Sequence, residues 1–171
     1  MNNREREYIF ADLPDIGYST DIDTVMASSY QVKKQLQQIV KIEQPITNTL
    51  LYKRILRIWN LTRVTTRLQV FIDSLLEDAY KDPLSGDTII YWENKEKAKD
   101  CDFYRINSKR DILDIPILEV MSAARYAIEQ QISMPIEDLK RLTSQLLGFS
   151  RKGNNLDMVT EQTIQLSLIH I

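Results

Sequence analysis

Histidine and cysteine are almost missing from this chain, and their scarcity removes most catalytic chemistry before any motif is sought. There is one of each in 171 residues. The histidine, His170, is the penultimate residue, where chain ends are least ordered. A Ser-His-Asp or Cys-His site is therefore implausible. Zinc needs clustered Cys and His ligands, which Cys101 and His170 cannot supply. A lone cysteine also forbids an intrachain disulfide, which fits a reducing compartment. Glycine is scarce as well: Gly17, Gly86, Gly148 and Gly153 lack the spacing and the following lysine of a phosphate-cradling loop. No apolar run reaches the roughly 18 residues of a membrane span, and the polar, charged start is unlike a signal peptide. Glu43, Asp73, Glu77, Asp78 and Glu119 show no nuclease-like Asp…Glu-x-Lys grouping. The expectation is a cytoplasmic chain that catalyses nothing alone, with no metal, membrane or small-molecule substrate.

What is present is a turn spelled twice. Pro45-Ile46 precedes about a dozen helix-prone residues, then Asn60-Leu61-Thr62-Arg63 and an apolar stripe from Leu68. Pro135-Ile136 precedes another such stretch, then Gly148-Phe149-Ser150-Arg151 and a stripe from Leu156. Asn and Gly end helices in the left-handed conformation. The apolar residue after them can pack back, and Thr or Ser can cap the next helix. Leu68 and Leu156 each follow their arginine by five residues.

Charge is unevenly spread beneath a net value of −2. Residues 1–28 hold two basic residues against six acids, whereas residues 29–72 hold eight lysines and arginines against Glu43 alone. Such a local excess attracts polyanions whatever the global charge. A solvated helical surface is the plainer explanation, with counter-charges supplied from elsewhere in the fold.

The 1–28 stretch lacks helical periodicity and reads as an irregular acidic arm or linker. Residues 29–107 then read as a winged helix-turn-helix-like unit. Helices are expected at 30–42 (Val32, Leu36, Ile39 and Val40 inward), at 47–59 (Leu51, Ile55, Ile58, Trp59) and after Thr62 (Leu68, Phe71, Ile72, Leu75, Leu76). Thr88–Trp92 and Asp102–Ile106 are rich in β-branched and aromatic residues and suggest a β-hairpin wing with a charged tip between them. Residues 108–171 read as a second helical unit packed on the first. Its helices are expected from Pro116 to about Ile132, over 136–147, and along the Leu156, Val159, Thr163 and Leu166 stripe. The fold class is mainly α.

In a winged helix-turn-helix the third helix enters the major groove by its N-terminal residues. Those would be Arg63, Thr65, Thr66, Arg67 and Gln69, with Lys53 and Arg57 extending the basic face. Lys95, Lys97 and Lys99 at the hairpin tip would lie along the backbone or enter the minor groove, and Arg151 with Lys152 would be the second unit's nucleic-acid-binding residues. Tyr91, Trp92, Phe103 and Tyr104 could stack single-stranded bases, but strand aromatics more often pack onto helices.

Several spaced blocks resemble one family. They are Ile39-Val40-x-x-Glu43-x-Pro45-Ile46, Arg63, Tyr91-Trp92, Tyr104-Arg105, Arg110-Asp111-Ile112-x-Asp114-Ile115-Pro116-x-x-Glu119 and Leu146-Leu147-Gly148-Phe149-Ser150-Arg151. Together they resemble domain-of-unknown-function family 3320 over roughly residues 30–165. That family sits at the C-terminus of large bacterial proteins resembling superfamily 1 DNA helicases, some with a nuclease-like segment before it. Asn60 and Val64-Thr65 stand where glycines are common in that family, so the first turn departs from its pattern. The resemblance implies an accessory domain of a DNA helicase, with ATP and magnesium confined to the parent's motor and no catalytic residues to carry over. Expected partners are DNA and the remainder of the parent. The rival expectation is a protein-docking module with no direct DNA contact.

Overall fold

The computed structural model describes residues 2–131 and 133–169. The expected helical end Ile132 and the penultimate His170 lie outside the described residues. In chain order the elements are β1 (Glu5–Glu7), α1 (Ile22–Ala27), α2 (Ser29–Glu43), β2 (Ile46–Thr47), α3 (Asn48–Ile58), α4 (Thr66–Leu75), β3 (Tyr80–Lys81), β4 (Ile90–Trp92), α5 (Lys95–Ala98), β5 (Tyr104–Ile106), a 3₁₀ turn (Ile112–Asp114), α6 (Ile117–Glu129), α7 (Ile136–Leu146) and α8 (Asn154–Ile169). The chain is mainly helical with little sheet, and it divides into two compact units.

The first unit is residues 9–99. Its core is the inward stripes of α2, α3 and α4: Val32, Leu36 and Ile39 meet Leu51 and Ile55, with Leu68 and Ile72 closing the third side. At about 25 cal/mol per Å² of apolar surface, each such side chain stabilises by roughly 1.5–3 kcal/mol. A three-stranded antiparallel sheet in the order β2-β4-β3 completes the unit. Ile46 pairs with Tyr91 and Tyr80 with Trp92. The central strand β4 is buried throughout, as its β-branched and aromatic residues favour.

Two expectations are corrected here. Residues 9–28 are not a loose arm: Ala11 and Val25 are buried in the first core, and Leu13, Ile16 and Ile22 pack against it. Ala11, Leu13 and Ile16 follow no helical or strand period, and Ile22 and Val25 lie on α1, which is too short to show as an apolar stripe. The 88–92 and 102–106 segments also do not pair as a hairpin. β4 takes β2 and β3 as neighbours, while β5 pairs in parallel with β1, Arg6 opposite Arg105.

The second unit combines residues 2–8 with those from 100 onward. Helices α6, α7 and α8 pack on one another, burying Val120, Ala123, Ala127, Leu139, Leu147 and Ile164. Pro116 and Pro135 stand at the starts of α6 and α7, where a missing N–H costs nothing. Among the described residues no helix is long and apolar enough to cross a membrane.

Candidate nucleic-acid interface

The repeated turn is one backbone device used in both units. Asn60 has φ +47° and Gly148 φ +90°. Leu61 N–H donates to Leu56 O (3.0 Å) and Asn60 N–H to Arg57 O (3.2 Å). In the second unit Phe149 N–H donates to Ser144 O (2.9 Å) and Gly148 N–H to Gln145 O (3.0 Å). Both sets are the paired bonds of a Schellman motif. The next helix begins six residues later in each case, at Thr66 and at Asn154. The cap of α4 is not Thr62 but Thr65, whose side-chain oxygen accepts from Leu68 N–H (3.2 Å).

At the start of α4, Arg63, Thr66 and Arg67 are exposed, whereas Thr65 and Gln69 are half-buried. Thr65 is occupied as a cap worth about 1 kcal/mol, which takes it out of the set of free readers. Val70 follows on the open side, 64% exposed. Arg67 Nη2 donates to Asp23 Oδ1 at 2.7 Å. On α3, Lys53 and Arg57 are exposed. The Arg57 guanidinium lies 5.0 Å from the Phe10 ring centre, and that of Arg54 4.3 Å from it.

Lys95, Lys97 and Lys99 are exposed but sit on α5 and its C-cap, not on a hairpin tip. Asn94 caps that short helix by accepting from Lys97 N–H (3.0 Å), and Lys99 pairs with Glu96 at 2.8 Å. Arg151 and Lys152 are exposed in the α7–α8 turn. Arg151 lines an open depression of about 770 Å³ with Lys109, Arg110, Asn154 and Asn155. Lys109 and the two asparagines follow no period, so no sequence pattern points to them. Asp23 belongs to the segment whose sequence reads as an acidic arm.

The four aromatic residues that could stack bases are core. Tyr91 and Tyr104 are fully buried, and Trp92 and Phe103 nearly so. Trp92 Nε1–H donates to the buried Asp82 (2.8 Å), and Trp59 Nε1–H to Gln35 (2.9 Å). Burial, then Asp73, pushes the Tyr91 hydroxyl up to about 12. Burial raises Tyr52 too, and its hydroxyl donates to Asp73 (2.7 Å). Neither ionises at neutral pH, so neither supplies a base.

Other residues that carry the family resemblance turn out to be buried ion pairs. Glu43 is fully buried and accepts from Arg54 Nε (3.0 Å), Arg54 Nη2 (2.8 Å) and Ala11 N–H (3.1 Å). Glu119, also fully buried, receives both Nη groups of Arg110 at 2.8 Å, a guanidinium bond from Arg105 and the Arg105 N–H at 3.0 Å. The Tyr8 ring lies 4.8 Å from the Arg105 guanidinium and 4.4 Å from that of Arg110. Burial alone would raise the Glu119 carboxyl, but the two arginines outweigh it and hold it below the usual carboxylate range. These are structural clusters, and they explain why such charged residues stand at such positions. Among the described residues no three His, Cys, Asp or Glu gather as a metal site.

Residues 26–70 match the model of a protein family of unknown function (DUF3320). The matched stretch runs from the end of α1 into α4 and so contains the first turn, Glu43, Arg54 and the start of α4. It is narrower than the 30–165 resemblance and includes neither α5 nor the second unit. No curated protein matches the chain. No solved structure matches it either.

Proposed function

We propose that residues 9–99 are a winged helix-turn-helix-like DNA-binding unit, and that the chain is an accessory DNA-binding domain of a DNA helicase-like protein. The carrying observation is the α3–turn–α4 pair with Arg63, Thr66, Arg67 and Val70 exposed at the head of α4. The element order α2-β2-α3-α4-β3-β4, with β4 between β2 and β3, supports the winged reading. In this reading the wing is the β3–β4 hairpin, whose 82–89 connection carries Asp82 and Asp87 and no basic residue. Phosphate contact then falls to Arg63, Lys53 and Arg57, with Val70 available to a thymine methyl group. The α5 lysines lie beyond that wing. Arg151 and Lys152 form a secondary contact in the second unit. The chain catalyses nothing itself, and ATP and magnesium belong to the motor of a cytoplasmic parent.

The test is fluorescence anisotropy with labelled duplex and single-stranded DNA across a salt series, with Arg63→Ala alongside. Binding should weaken with salt, and losing one phosphate contact should flatten the duplex log–log slope by about 0.9. Absence of binding at low salt, where screening is weakest, overturns the reading. The docking alternative would then lead. It is favoured by a depression of about 440 Å³ in the first unit, floored by Val40, Leu75, Leu76 and Trp92.

A further inference from the structure

We propose that Asp23 and Arg67 form one reading pair that gives the first unit a preference for a guanine–cytosine pair in the major groove. This inference rests on the DNA-binding reading above. It concerns base selection, which that reading leaves open, and adds a residue from the N-terminal segment.

That segment is fixed to the turn at several points. Ile16 N–H donates to Ile58 O (2.9 Å), Thr20 Oγ1 donates to Trp59 O, and Asn60 Nδ2 donates to Tyr18 O (3.2 Å). Asp21 then caps α1 by accepting from Thr24 N–H (2.8 Å). The path delivers Asp23 to Arg67 at 2.7 Å. Both side chains stay open to a ligand after pairing, Arg67 at 56% and Asp23 at 73% exposure. An exposed pair of this kind contributes little to stability, so its geometry is free to serve recognition.

The chemistry selects the ligand. The held guanidinium offers a row of N–H donors, and the carboxylate beside it offers an acceptor. In the major groove guanine presents two acceptors, N7 and O6, and its partner cytosine presents the N4 donor. Donor, donor, acceptor meets acceptor, acceptor, donor. An adenine–thymine pair presents acceptor, donor, acceptor and mismatches that row. A phosphate has acceptors only, and the Asp23 charge repels it, so the pair is poorly suited to backbone grip and well suited to base edges.

The test uses the full chain and a duplex pool with a randomised core, selected by binding, with an all-A·T duplex as reference. Wild type should enrich a G·C pair at one position by about tenfold over A·T. Asp23→Asn should lose that enrichment and bind the all-A·T duplex more tightly, with an unchanged Tm. Arg67→Lys should keep salt-sensitive binding without the preference, since an ammonium lacks the planar fork. Enrichment that survives in Asp23→Asn overturns the inference while leaving DNA binding intact. Wild type that binds no duplex at low salt overturns the DNA-binding reading, and this inference with it.

Discussion

The two units bury charge in different ways. In the first, Glu43 is fully buried but its partner Arg54 keeps 16% of its side chain exposed, so the pair lies at the rim of a large continuous apolar core. In the second, Glu119, Arg105 and Arg110 are all enclosed, at 0%, 6% and 2%. The apolar core there is split into two smaller clusters. Buried hydroxyls add to its polar interior, with Thr160, Thr163 and Ser167 each donating one turn back along α8. A rim pair can be solvated when it breaks. An enclosed cluster cannot, because desolvation has already been incurred and only the geometry repays it.

The largest expected effect tests that difference directly. Glu119→Gln leaves two guanidinium groups buried without their shared anion and should cost about 3–5 kcal/mol. Glu43→Gln should cost less, about 2 kcal/mol, because Arg54 can turn to water and the lost bonds are those of one charged group. Urea unfolding of both variants measures the gap. Equal costs would remove the distinction between rim and interior.

Acid should separate the same feature more gently. The folded Glu119 carboxyl lies below its ordinary value of 4.5, so the unfolded state binds its proton first as pH falls. The stabilisation is complete above that value and is lost as pH drops through the folded pKa. Thermal midpoints followed downward through pH 4.5 should fall, and Glu119→Gln should remove this group's share of the fall. A wild-type slope matched by the variant would mean other carboxylates govern the acid transition.

How much of this was legible in the sequence depended on period. The stripes Val32-Leu36-Ile39, Leu51-Ile55-Ile58 and Leu68-Ile72 repeat at helical spacing, so α2, α3 and α4 could be placed with their buried faces. The strands could not be paired, because two or three residues hold no usable alternation. β1 is spelled Glu5-Arg6-Glu7, which looks like solvent, yet it joins β5 through main-chain bonds that are indifferent to side chains. At the candidate interface, Arg63, Thr66 and Arg67 followed from the turn grammar and are exposed. Thr65 serves as a cap and the lysines lie on α5 and its C-cap, whose start is marked in the sequence by Asn94 alone. Asp23 needed the tertiary path of an aperiodic segment, which no local pattern encodes.

The smallest expected effects distinguish the two turns themselves. At Gly148 a Cβ would meet no atom within 4 Å, so any cost of Gly148→Ala comes from the left-handed backbone alone. That cost should be about 1–2 kcal/mol. Asn60 already tolerates φ +47°, and its side chain adds one exposed bond to Tyr18 O. Asn60→Gly trades that bond against backbone relief and should change stability by no more than about 0.5 kcal/mol. Denaturation midpoints of the two variants put numbers on each turn. A neutral Gly148→Ala would mean the second turn relaxes out of the left-handed region without penalty. A costly Asn60→Gly would mean the first turn is held less by its own backbone than by the Tyr18 segment, the same segment that carries Asp23 to Arg67.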